Sequence, residues 1–299
     1  MADDIVEDDE EAKVQAEGSA ETLKESDLLD LHSGEHFTNE SASEILRNQV
    51  SRVIVLAGSI KSGKTTLLNS IYEAFNKGEF ANYQFAGSKT LVAFEERCHL
   101  ARLNSGASQA DTARTPRTGG SPLLHLKVKR IDSEVTRDIL LTDFTGEFFR
   151  EAMDSTEACK RLTVVKRADH FVLFLDCERL SRDDERPLVI EEGRVMCRSF
   201  LEANMLTKNS IVDIFFSKSD LLRTSNNAKL LDDIEKKYRK HLGDGVAKMN
   251  FATVVSKPLQ KIAGIQHIFP QWVEDSMLFQ YNKPESALVR SGREFNTFN

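Results

Sequence analysis

The segment Gly58-Ser59-Ile60-Lys61-Ser62-Gly63-Lys64-Thr65 spaces two glycines, a lysine and a hydroxyl as a polyphosphate cradle requires. Glycine at 58 and 63 permits backbone conformations and close approaches that a Cβ obstructs, so successive N–H groups can turn inward on phosphate oxygens. Lys64 then bridges the terminal phosphates, Thr65 offers its hydroxyl to Mg²⁺, and the cradle runs on to Thr66 in the first helical turn. A second cluster lies downstream. In Ile139-Leu-Leu-Thr-Asp143-Phe-Thr-Gly146 an apolar strand ends at Asp143, so the carboxylate emerges at the edge where such sheets bind ligands. It is expected to hold Mg²⁺ through water, and the Gly146 N–H to approach the outermost phosphate.

These residues need a sheet to hold them. The β-branched run Arg52-Val-Ile-Val-Leu-Ala57 predicts a strand buried on both faces. Leu67, Leu68, Ile71, Tyr72 and Phe75 then recur at helical spacing over 64–76. Further strands are expected at 123–129, 138–143, 171–176, 211–216 and 251–255, with helices over 149–167, 188–206 and 227–242. Strand and helix alternating in this way predict an α/β fold, a three-layer P-loop NTPase sandwich with a mainly parallel sheet. The short polar link after 129 makes one strand of the 123–143 pair an antiparallel hairpin strand.

The chain has 299 residues and a formal charge of −7. Residues 1–30 hold twelve acidic side chains and two lysines, so the remainder carries +3, which argues against electrostatic capture of nucleic acid by the body of the protein. The sequence therefore divides into an acidic disordered tail over 1–42, a nucleotide-binding domain over 43–275 and a C-terminal tail over 276–299. Cys98, Cys159, Cys177 and Cys197 lie far apart without a metal-ligand pattern and are expected to be reduced thiols. With neither a secretory signal nor an apolar run that would span a bilayer, the expectation is a cytoplasmic protein with no membrane association.

The strand ending at Phe216 runs into Ser217-Lys218-Ser219-Asp220, which resembles the N/T-K-x-D guanine motif of TRAFAC-class GTPases. The resemblance implies that Asp220 accepts hydrogen bonds from guanine N1–H and the exocyclic amine, while Lys218 lies along the base and ribose. Ser217 departs from the usual Asn or Thr and is read as a hydrogen-bond partner for the phosphate loop. Val255-Ser256-Lys257 resembles the last base-contacting motif, or is a plain strand end. GTP or GDP with Mg²⁺ is the expected ligand. Between the first helix and the 123–129 strand, Asp111-Thr-Ala-Arg-Thr-Pro-Arg-Thr-Gly-Gly120 is the place for a nucleotide-sensing threonine that shares the metal. Thr115 is taken for that role, with Thr118 as the alternative, and Arg114 or Arg117 as an arginine reaching the phosphates. Glu147 stands where Ras-like proteins carry a water-orienting glutamine. A carboxylate there is repelled by the γ-phosphate unless it turns away, so hydrolysis is expected to be slow. Leu91-Val-Ala-Phe-Glu-Glu-Arg-Cys-His-Leu-Ala-Arg-Leu103 is helix-like and offers a face for a partner.

Together with Phe85-Ala-Gly-Ser-Lys-Thr-Leu-Val-Ala-Phe-Glu-Glu-Arg-Cys-His-Leu100, Arg114-Thr-Pro and Leu123-Leu-His-Leu126, the phosphate-loop and Asp143 segments look like the double-GTPase type two family over about residues 50–260. The resemblance implies a regulatory GTPase switch in bacterial conflict or defence systems, with a second GTPase or an effector component as protein partner. From residues alone two other readings stay open: an ATP-dependent enzyme on the same loop, and a non-hydrolysing nucleotide-binding scaffold.

Overall fold

β1 (Ser51–Gly58) is buried along its whole length, as a run of aliphatic side chains on both faces requires. Val53, Val55 and Ala57 enter one core, Ile54 and Leu56 the other. The structure is a computed structural model that describes residues 33–48, 50–104, 122–256 and 262–274. The other strands are β2 (Tyr83–Gly87), β3 (Leu123–Arg130), β4 (Thr136–Thr142), β5 (His170–Asp176), β6 (Ile211–Ser217) and β7 (Lys248–Val254). They form one sheet in the order β2-β3-β4-β1-β5-β6-β7. β3 runs antiparallel to both β2 and β4, while every pair from β4 to β7 is parallel. The carboxyl tips of β4, β1, β5, β6 and β7 consequently share one edge of the sheet.

The helices are α1 (Asn39–Asn48), α2 (Lys64–Asn76), α3 (Leu91–Asn104), α4 (Gly146–Asp154), α5 (Thr156–Arg161), α6 (Val164–Arg167), α7 (Cys177–Leu180), α8 (Arg186–Glu202), α9 (Asn227–Leu242) and α10 (Phe269–Val273). Leu67, Leu68 and Ile71 of α2, Phe94 of α3 and Trp272 of α10 cover Ile54 and Leu56. Ile45 of α1, Phe149 of α4, Phe200 of α8 and Ile234 of α9 belong to the core on the opposite face. Two helical layers around a central sheet make the three-layer P-loop sandwich that the strand–helix alternation requires.

Three features differ from the sequence expectations. Within residues 33–42, read as tail, Phe37 and Ala42 enter the core. Phe37 is buried and exchanges backbone hydrogen bonds with Leu123 at 2.8 and 3.3 Å, so the domain begins before residue 43. The single helix expected over 149–167 is three short ones, because Ser155 adopts extended backbone and caps α5 by accepting from the Ala158 N–H. β2 carries no strong apolar alternation and was not foreseen; pairing with β3 makes it a strand. At the amino edge of the sheet, away from the strand tips, buried Asp213 accepts from Trp272 Nε1 (2.9 Å) and Asn250 Nδ2 (2.7 Å) and bonds His170 Nδ1 (2.8 Å). That network ties α10 to the strands.

Candidate nucleotide-binding site

β1 ends at Gly58 with φ 146°, where a Cβ would lie 2.9 Å from Ser62 Oγ and 3.0 Å from Phe174 Cβ. Both the dihedral and the neighbours require glycine. The bend continues through exposed Lys61, itself left-handed at φ 62°, to Gly63 at φ 94°. No side chain caps α2 at Gly63. An uncapped amino end presents unsatisfied N–H groups and partial positive charge, both of which favour an anion.

Lys64 folds back over the bend. Its Nζ donates to the carbonyls of Gly58 (3.0 Å) and Ser59 (2.9 Å) and, at 3.5 Å, to Ser62 Oγ. Burial lowers its pKa to about 8, opposed in part by the attraction of Asp143. A cation held at such a cost is poised for a ligand that repays it, and phosphate oxygens do so.

Asp143 stands immediately beyond the tip of β4 with its side chain fully buried. Its Oδ1 accepts from Thr65 Oγ1 at 2.9 Å. Because the threonine proton points at Asp143, the lone pairs of the hydroxyl are left for a cation. Gly146 is the first residue of α4, and a Cβ there would come within 2.3 Å of the Ile60 N and 2.6 Å of the Ser59 carbonyl carbon. The Asp-x-x-Gly element therefore lies directly on the phosphate loop. Half-buried Glu147 follows in the first turn of α4. Thr66 lies half-buried in the first turn of α2.

Sequence reasoning missed Arg97 of α3. Its Nε donates to Asp143 Oδ2 at 2.6 Å and its Nη1 to the Ala93 carbonyl at 2.9 Å. The amino end of α3 is bolted to β3: Ser88 Oγ donates to the His125 carbonyl (2.6 Å), the Lys89 N–H to His125 Nδ1 (2.9 Å), and the His125 N–H to Thr90 Oγ1 (2.8 Å). Since Nδ1 accepts, Nε2 carries the proton that goes to Asp138 at 2.7 Å. The one available signal was that Ser88, Thr90, Arg97 and His125 all lie in the segments that carry the family resemblance.

The guanine-type motif occupies the tips of β6 and β7. Lys218, left-handed at φ 52°, places Nζ on Asp176 Oδ2 (2.8 Å) and Glu178 Oε2 (3.1 Å). Burial opposes its charge, and the two carboxylates outweigh that, so its pKa is raised. Asp220 is half-buried in the turn Ser219–Leu221, and Ser219 Oγ reaches the Val254 carbonyl at 3.5 Å. Ser256 follows β7 with its hydroxyl buried and without a hydrogen-bond partner among the described residues. Ser217 corrects an expectation: its hydroxyl donates to the Leu175 carbonyl at 3.2 Å rather than to the phosphate loop, although a Cβ on Gly63 would lie 3.9 Å from its own. Arg114, Thr115 and Lys257 lie outside the described residues.

The model of the family described as Double-GTPase 2 matches residues 52–273. The chain belongs to the Double-GTPase 2 family. No curated protein sequence matches it. Among solved structures it is similar to the translation elongation factor SelB from Methanococcus maripaludis in complex with the GTP analogue GppNHp, at 11% identity and TM-score 0.35 over 70% of this chain and 30% of that one. The S. cerevisiae Ski7 GTPase-like domain bound to GTP matches at 15% identity and TM-score 0.41 over 72% and 44%. The signal recognition particle receptor SRb-GTP/SRX complex from Chaetomium thermophilum matches at 13% identity and TM-score 0.39 over 74% and 96%. In this Double-GTPase 2 member no helix among the described residues is long and apolar enough to cross a membrane. All four cysteines are buried, and none forms a disulfide with another.

Proposed function

We propose that the chain is a GTP-binding, slowly GTP-hydrolysing regulatory switch, working in a multiprotein assembly of a bacterial conflict or defence system beside a second GTPase or an effector component. One observation carries the reading. Gly146 packs on the Ser59–Ile60 backbone while Asp143 receives the Thr65 hydroxyl, so the phosphate cradle and the element that would sense the outermost phosphate share one contact. Family membership supports GTP over ATP, as does the placement of Asp220 beyond the tip of a buried strand. A half-buried carboxylate that a bound base would cover discriminates against adenine, which offers it no matching donors.

A hydroxyl and a carboxylate, both oxygen donors, fit a hard divalent cation such as Mg²⁺. Thr65 would hold it directly and Asp143 through water. A cation held by these two residues would supply neutralisation of the charge that develops on the phosphates. Lys64 and the first-turn N–H groups of α2 bind and orient the polyphosphate. Asp220 and Lys218 select the base, with Ser256 and Lys257 beside it. Thr115 is assigned as the nucleotide-sensing threonine that shares the metal, and Arg114 as an arginine reaching the phosphates. Water attacks that phosphorus, the bond to the bridging β-oxygen breaks, and GDP and phosphate leave. Turnover without an activator is expected on the order of 10⁻⁴ to 10⁻² per second, and Glu147 in place of a water-orienting amide favours the slow end.

The test is competition of GTP, GDP, ATP and ITP for a fluorescent guanine nucleotide in Mg²⁺, with single-turnover product analysis. GTP and GDP should compete well, ITP more weakly because it lacks the exocyclic amine, and ATP least. A preference for ATP would overturn the reading. Tight GTP binding without product over many hours would turn it into a scaffold, the alternative to which Glu147 and Ser217 lend some weight.

A further inference from the structure

We propose that Arg97 is the positioning residue of the metal site, acting through Asp143 on Thr65. The inference rests on the reading of the phosphate loop as a site for a nucleotide and a divalent cation.

The chain of contacts is short and directional. Arg97 Nε donates to Asp143 Oδ2 at 2.6 Å, and the other carboxylate oxygen, Oδ1, accepts from Thr65 Oγ1 at 2.9 Å. With one oxygen fixed by the guanidinium, the plane of the carboxylate is set and Oδ1 faces the threonine. The threonine proton is then committed, and its lone pairs point away from Asp143. A hydroxyl that ligates a cation must be oriented in this way, because its proton and a metal cannot occupy the same direction.

Arg97 is itself held at several points. Its Nη1 bonds the Ala93 carbonyl one turn back at 2.9 Å, and its own carbonyl accepts from Asn69 Nδ2 of α2 at 3.3 Å. One turn away Phe94 stacks on Tyr72 with centroids 4.8 Å apart, and the Ser88–Thr90–His125 joint anchors the start of the helix. Only 15% of the Arg97 side chain is exposed, against 0% for Asp143. A lysine could supply the charge but not the planar fork that engages Ala93 and Asp143 together.

Two effects compete at this place. The guanidinium charge repels a nearby divalent ion, whereas the bond it makes orients the ligand set. Asp143 already neutralises Arg97 across a short, buried contact, so the orienting effect is the one expected to prevail. Lys64 Nζ is turned to the loop carbonyls of Gly58 and Ser59, and the bond to Oδ2 comes from Arg97.

The experiment titrates Mg²⁺ against the release rate of a fluorescent GDP from the wild-type chain, Arg97→Ala and Arg97→Lys. Release in excess EDTA reports nucleotide binding without metal and serves as the check on folding. For Arg97→Ala the EDTA rate should match wild type while the Mg²⁺ midpoint rises 10- to 100-fold, the usual cost of removing a partner that orients a metal ligand. Arg97→Lys should recover only part of that shift. An unchanged midpoint overturns the proposal, and a lower one overturns it in favour of charge repulsion. A full return to the wild-type midpoint in Arg97→Lys would show that charge alone matters and would overturn positioning as well. If the wild-type chain binds no guanine nucleotide, the proposed function fails rather than the role of Arg97.

Discussion

Replacing Lys64 by methionine should stabilise the nucleotide-free protein at neutral pH relative to alkaline pH, because the wild-type lysine is buried as a cation. Its pKa falls from 10.5 to about 8 on folding. At about 1.36 kcal/mol per unit, that shift is a penalty of about 3 kcal/mol when both states are protonated. Below pH 8 the penalty is complete. Between pH 8 and 10.5 the unfolded chain keeps the proton and the folded chain sheds it, so stability rises with pH through that window. By pH 9.5 about 2 kcal/mol should have returned. Methionine also removes the donor to the Gly58 and Ser59 carbonyls. That cost does not depend on pH and cancels when the difference between the two proteins is compared across pH. Urea unfolding of wild type and Lys64→Met at pH 7.0 and 9.5 gives the four free energies. Wild type should gain about 2 kcal/mol on the variant between the two conditions. A difference that stays constant within about 0.5 kcal/mol would refute the account of Lys64 as a desolvated cation. Polyphosphate binding would then need another source for the affinity that release of this strain supplies.

Gly146→Ala places a methyl group 2.3 Å from the Ile60 N, so the phosphate loop or α4 must move. Overpacking of about 1–3 kcal/mol should appear as a roughly tenfold or greater loss of triphosphate affinity in isothermal calorimetry. Asp213→Ala strands His170, Asn250 and Trp272 at the amino edge of the sheet. It should cost about 3–5 kcal/mol and lower Tm by roughly 10 °C, with nucleotide affinity at 25 °C unchanged, as calorimetry and a binding titration would show. The four buried cysteines, with Cys177 and Cys197 pushed up to about 12 by burial, should react with a colorimetric thiol reagent at pH 8 only after denaturation. Rapid modification of the native protein would contradict that burial.

The order of strands and helices and the phosphate loop were legible in the sequence because both are local. β1 announces itself by an unbroken apolar run, α2 by its 3.6-residue stripe, and the loop by glycines whose dihedrals a side chain would resist. Asp143 and Gly146 were legible for a related reason: a strand in a parallel sheet delivers whatever follows it to the carboxyl edge. The sequence could not show contacts between residues far apart in the chain. Phe37 reaches Leu123 across 86 positions, and Arg97 meets Asp143 from a helix whose spacing gives no hint of it. β2 becomes a strand only by pairing with β3, and Ser217 turns to Leu175 because that carbonyl is the acceptor within its reach. Periodicity encodes which face of an element is buried, while the partner on that face is fixed only when sheet order and helix placement bring distant segments within hydrogen-bonding range.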